Sequence, residues 1–146
     1  MTHEFLQRIT ERIGAILEDD ARLSEGLGAT PVIATSPRRL DFLSHAIYVF
    51  RGGIDGYDYH MGEDGCDFTA TWYISCINRR VGDPEALESL VSYLTANVIR
   101  IMLDHKSETD YWTSAVLQAS DAVPMRGEKD QSFEIETIPI EITWSE

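Results

Sequence analysis

The residues with chemistry to offer are four histidines, two cysteines and a dense run of acids. His3, His45, His60 and His105 are scattered, and no two stand at the i, i+4 spacing of a helical zinc site. His60 with Cys66 would make half of a tetrahedral zinc centre, but the sequence nominates no third and fourth ligand. Both read as ordinary loop residues. The stretch from Asp55 to Asp67 invites a calcium reading and does not fit one. A calcium loop of the helix-loop-helix type wants acids at its first, third and fifth positions and a glutamate at its twelfth. Counted from Asp55, those later positions hold Tyr57, Tyr59 and Cys66. A solvated acidic loop is the better reading.

Covalent catalysis has no better support. There is no G-x-S-x-G elbow and no cysteine in a protease-like context. Neither G-x-x-x-x-G-K-[ST] nor G-x-G-x-x-G occurs, so no phosphate-cradling loop is visible. The expectation is a chain that is not an enzyme, with no catalytic residues, no cofactor and no metal.

What stands out is a surface. Asp55, Tyr57, Asp58, Tyr59, Met61, Glu63 and Asp64 mix aromatic rings, a methionine and acids in a glycine-rich stretch. Tyrosine is enriched where interfaces carry their energy, so these residues are the first candidate interface. The competing reading folds one or two of the rings back on the domain. Met125 and Arg126 open a second polar, turn-rich loop. Arg79 and Arg80 form a rare basic spot, set to pair with acids of a neighbouring copy or to stay solvated.

The elements that must position these residues follow from hydrophobic periodicity. Phe5, Leu6, Ile9, Ile13, Ile16 and Leu17 repeat at i, i+3, i+4 and predict an amphipathic helix from Thr2 to about Glu18, with Thr2 as its cap. Residues 19–41 are broken by Gly26, Gly28, Pro31 and Pro37, with room for a short strand at Val32–Ala34. Ser44–Phe50 reads as a strand ending at Gly52-Gly53. Residues 54–67 read as the projecting acidic tip of a long hairpin. Beyond it Phe68, Ala70, Trp72, Ile74 and Cys76 alternate with polar residues and predict a strand with one buried face. Gly82-Asp83-Pro84-Glu85 starts a second helix, whose apolar stripe runs from Leu87 to Met102. Strands are expected within Trp112–Ala119, at Ala122–Met125 and along a final segment. In that segment the apolar parity changes between Ile135 and Ile138, which suggests a bulge or bend near Thr137–Pro139, and the proline there favours a sheet edge. The expected architecture is one α+β domain over residues 1–146, a largely antiparallel sheet with two amphipathic helices packed on one face.

Composition bounds the partners. The 146 residues hold 12 Lys and Arg against 25 Asp and Glu, a formal charge of −13. Such a surface repels phosphate, so neither conventional nucleic-acid binding nor docking on an anionic membrane is expected. The N-terminus shows no basic and apolar leader pattern, and no apolar run approaches the ~20 residues that span a bilayer. Cys76 falls on an apolar strand face and reads as a small buried hydrophobe. A disulfide to Cys66 has little to favour it without an export signal.

The order of these elements, the helix opening at Gly82-Asp83-Pro84-Glu85 and the closing Ile138-Pro-Ile-Glu-Ile-Thr-Trp-Ser-Glu146 resemble the tail-terminator (tail-completion) proteins of long-tailed bacteriophages. The resemblance spans most of the chain and rests on element order rather than on a motif. It implies a virion structural protein of the phage neck, assembled in the host cytoplasm. Copies would form a homohexameric ring that caps the tail tube and joins the head-completion or connector protein. The hairpin at 54–67 would then be an arm toward the tube or a neighbouring copy. DNA would pass through such a ring without specific binding, helped by its negative charge. A head-completion or adaptor role of similar size stays open. The alternative class is an acidic binding module, a DNA mimic or an inhibitor of a nucleic-acid enzyme, displaying its carboxylates as a phosphate-like array.

Overall fold

A computed structural model of the chain describes residues 3–23, 31–35, 45–59, 66–81, 84–126 and 131–145. Helix α1 spans His3–Glu18, and a short 3-10 turn follows at Ala21–Leu23. Strands β1 (Val32–Ala34), β2 (His45–Tyr59) and β3 (Cys66–Val81) come next. Helix α2 covers Pro84–Leu103, and β4 (Ser114–Leu117), β5 (Asp121–Arg126) and β6 (Gln131–Ser145) complete the chain. The expected cap at Thr2 lies outside the described residues.

The strands form one six-stranded sheet in the order β1-β2-β3-β6-β4, with β5 also paired to β6. All pairings are antiparallel except β1 with β2. This is the α+β class expected from periodicity, dominated by its sheet. Strand β3 is the spine. It pairs with β2 on one side and with β6 on the other, from Asp67 opposite Ser145 to Val81 opposite Gln131.

The alternation in β3 explains the core. Ala70, Trp72, Ile74 and Cys76 are fully buried on one face, and Ile138, Ile140 and Ile142 lie beside them on β6. Both helices cover that face. From α1, the Thr10 hydroxyl accepts a 2.9 Å hydrogen bond from Trp72 Nε1 and donates to the Leu6 carbonyl at 3.3 Å. The Phe5 ring sits 5.8 Å from the Trp144 ring. From α2, Leu94, Val98 and Ile101 are fully buried. Gly14 lets α1 approach β1, because a Cβ there would stand 2.4 Å from the Thr35 methyl. The opposite sheet face carries the stacked rings of Tyr48, Phe50 and Tyr73, and no described element packs over it.

Three local expectations are corrected. The β3–β6 register is continuous, so there is no bulge at Thr137–Pro139. The parity change is real but marks a change of face: Ile135 pairs with Ile77 on the side away from the helices. Pro139 sits in an interior strand, not at an edge. Its carbonyl accepts from Gln118 N at 2.8 Å, so its ring nitrogen also points away from β3, to where the outer neighbour changes from β4 to β5. No ladder bond to β3 is lost there. Gly52-Gly53 does not end β2 but takes part in a register shift between Arg51 and Ile54, and a second shift follows between Ile54 and Gly56. The Tyr73 ring covers Gly52, where a Cβ would come within 2.9 Å of it.

Cys66 and Cys76 lie on the same strand, ~33 Å apart at about 3.3 Å per residue, beyond the reach of a disulfide within one chain. Cys76 is a free, fully buried thiol. Burial pushes its pKa up to about 12, which the neighbouring Thr95 hydroxyl offsets only in part.

Two predictions follow from the packing. Trp72→Ala and Leu94→Ala should each cost about 2–5 kcal/mol in urea unfolding, as large-to-small changes in a core do; unchanged midpoints would contradict the assigned core. In a Cys66→Ser variant, the Cys76 thiol should resist a thiol reagent at neutral pH and react on unfolding; rapid labelling of the folded protein would refute its burial.

Candidate interaction surface

Of the residues singled out by sequence, the described ones fall at two ends of the sheet. At the first end β2 and β3 continue as paired strands where a loop was expected. Ile54 to Tyr59 belong to β2, and Cys66 and Asp67 to β3, so the hairpin is longer in its strands and shorter in its turn than composition suggested. Gly52, Gly53 and Gly56 sit at or beside the register shifts. Asp55 is exposed, and its carboxylate accepts a 2.6 Å hydrogen bond from the Thr71 hydroxyl of the facing strand. Tyr57 stands opposite Phe68, Asp58 opposite Asp67 and Tyr59 opposite Cys66. The Ser145 hydroxyl donates to Asp67 from β6. Asp55, Asp58 and Asp67 thus gather at one sheet end. Met61, Glu63, Asp64 and His60 lie outside the described residues.

The second end collects residues that the sequence had left in separate segments, with the strand expected at Ala122–Met125 present as part of β5. Arg79 and Arg80 do not follow β3 but belong to it, and Met125 and Arg126 belong to β5. Strand β6 runs between them. Phe133 pairs with Arg79 on one side and Met125 on the other, and Ser132 pairs likewise with Arg80 and Arg126. Three arginine positions therefore share two adjacent rows. The strand rise puts Asp67 and Arg80 about 40 Å apart. The structure brings each group together and keeps the two groups apart.

One charged cluster had no sequence signal. Arg12 on α1 donates to Glu108 through Nε at 3.1 Å and through an Nη at 2.7 Å, a residue 96 positions away. His105 Nδ1 stands 3.1 Å from the same carboxylate oxygen. The guanidinium carbons of Arg8 and Arg12 lie 5.2 and 5.3 Å from the Tyr111 ring centroid. Of these groups, Glu108 and Tyr111 line a cleft of about 250 Å³ that Phe5 and Trp144 also border. The turn itself is closed by reciprocal Glu108–Trp112 backbone bonds of 3.0 Å, with Asp110 in the left-handed region at φ 73° and the Trp112 indole donating to the His105 carbonyl at 3.0 Å. Half-burial pushes the Glu108 pKa up, but the hydrogen bonds and charge of Arg12, with help from His105, pull it below its ordinary value. Nearby, the Asp20 carboxyl is held low chiefly by hydrogen bonds from Arg22, which also reaches Asp104 at 2.8 Å. Both clusters tie the end of α2 to the α1 layer and act as locks. Among the described residues no group of three or more His, Cys, Asp and Glu is placed to hold a metal ion.

No protein-family model matches the chain, and no curated protein matches it. A match does exist among solved structures. A chain from the virion of a native gene transfer agent particle superposes with a TM-score of 0.54 at 18% identity, covering 94% of both chains. At that identity the likeness establishes a shared fold, from end to end.

The ion-pair geometry sets a pH response. Carboxylates whose folded pKa is lowered contribute stability above their ordinary values, 4.5 for Glu108 and 3.8 for Asp20, and lose it as pH falls through the lower folded values. The wild type should therefore lose stability on acidification below the ordinary carboxylate range. Glu108→Gln should lose less over the same interval in pH-dependent urea unfolding; equal losses would show that the Arg12 pair contributes nothing.

Proposed function

We propose that this chain is a virion structural protein of a phage-like neck, which caps the tail tube as a ring and forms the joint to the head-completion proteins. The observation that carries the reading is the end-to-end fold correspondence with a chain of a gene transfer agent virion. In this reading the protein acts as a fitted surface, with no catalytic step and no cofactor. Its place is the virion, and its partners are its own copies, the tail-tube protein and the connector.

Two physical features support the assignment. The long β2–β3 hairpin carries Asp55, Asp58 and Asp67 to the far end of the sheet, a reach suited to an arm that contacts the tube. The charge of −13 suits a ring through which DNA travels, since carboxylates facing the lumen repel phosphate and avoid salt-sensitive adhesion.

The test is electron microscopy of the purified protein mixed with tail tubes of its own particle. Rings seated on tube ends are the expected result. Replacing residues 61–64 with a Gly-Ser turn should leave the circular dichroism unchanged and weaken seating on the tube. Seating unaffected by that change would remove the arm. A strict monomer that ignores tubes and captures a DNA-handling enzyme would replace this reading with the acidic binding module.

A further inference from the structure

The last three turns of helix α2 carry apolar side chains on the side away from the sheet. Leu94, Val98, Ile101 and Met102 point into the core and are almost fully buried. Directly opposite, Tyr93, Ala96, Arg100 and Leu103 fall within an arc of about 80° at 3.6 residues per turn. Tyr93 is 39% exposed and Leu103 46%. A solvated helix normally fills that outer arc with charged and polar residues.

The arginine inside this stripe is the second observation. Arg12 and Arg22 hold carboxylates, Arg8 lies on aromatic rings, and Arg51 donates to the Gly52 carbonyl at 2.7 Å. The exposed Arg100 side chain has no hydrogen bond, ion pair or ring contact among the described residues. An apolar stripe with an uncommitted guanidinium at its centre fits a partner that offers apolar area and a carboxylate together, because a guanidinium buried unpaired is costly.

We propose that this outer stripe of α2 is the contact between neighbouring copies of the chain, with Arg100 received by a carboxylate of the next copy. The proposal rests on the ring reading above. Charge favours a second copy as the occupant. With 25 acids against 12 bases, the chain's own surface supplies carboxylates, and copies that repel overall need a locally complementary contact to associate. Charge also decides the symmetry. Packing stripe on stripe about a two-fold axis would set two Arg100 side chains near each other, so the stripe must meet a different surface of its neighbour. Head-to-tail contacts of this kind close into a ring where the rotation between copies allows, and run on as an open filament where it does not.

Sedimentation velocity on the full chain tests this with Arg100→Ala, Arg100→Glu and Leu103→Glu. The changed side chains are exposed, and thermal unfolding checks that each variant keeps its fold; Arg100→Ala removes no buried group. The expected result is a ring for the wild type and association weakened about tenfold or more in all three variants, with melting unchanged. Wild-type rings that persist in all three variants would overturn the α2 contact while leaving the ring reading intact. A wild type that stays monomeric at every concentration, with and without tail tubes, would overturn both.

Discussion

The hydrogen bond from the Trp72 indole to the Thr10 hydroxyl marks the constraint on which the rest depends: β3 must be buried on one face along its middle. The largest side chain of the core brings a polar N–H with it, and Thr10 satisfies that N–H while donating its own hydroxyl hydrogen bond to the Leu6 carbonyl. This fixes α1 over the sheet at one height. Gly14 then allows the close approach to β1, and α2 fills the remaining length with Leu94, Val98 and Ile101. Trp144 completes the aromatic floor beside Phe68 and Trp72, at 5.6 and 5.7 Å between ring centroids. Its own indole N–H finds no acceptor among the described residues, a cost the surrounding packing offsets.

With the middle of the sheet committed to the core, its ends are left to project. Strands β3 and β6 stay in one register from end to end, so they form a stiff double ribbon. Acid positions collect at the β2–β3 end and arginine positions at the other. The sheet face away from the helices presents rings and paired hydroxyls, among them Ser75 with Thr137 at 2.8 Å and Thr69 with Thr143 at 3.1 Å. No described helix is long and apolar enough to cross a membrane. The neck proposal calls on surfaces of this kind, beside the fold correspondence that carries it.

Much of this was legible in the sequence, and the parts that were not share a cause. The stripe Phe5 to Leu17 and the alternation Phe68 to Cys76 are local patterns written by burial on one side, and both matched the structure. Gly52, Gly53 and the acids after them looked like a loop because their composition is that of a turn. The facing strand β3 overrode that preference by pairing, and the shifts absorbed the glycines. Pro139 looked like an edge residue because sequence cannot say which way a backbone nitrogen points. Arg12 and Glu108 meet across 96 positions, and only the fold brings them together. Of the candidate surface, the types of residue were legible but their grouping was not. Arg79, Arg80 and Arg126 became neighbours through β6, a strand that sequence had placed without knowing its partners.

The central claim is that this chain is a stoichiometric part of a particle. The most direct measurement is quantitative mass spectrometry of phage-like particles purified from the cells that encode it. The account predicts the chain in every preparation, at one hexamer's worth per particle and well below the capsid subunit. Its absence from intact particles, with the protein abundant in the cell lysate, would contradict the account.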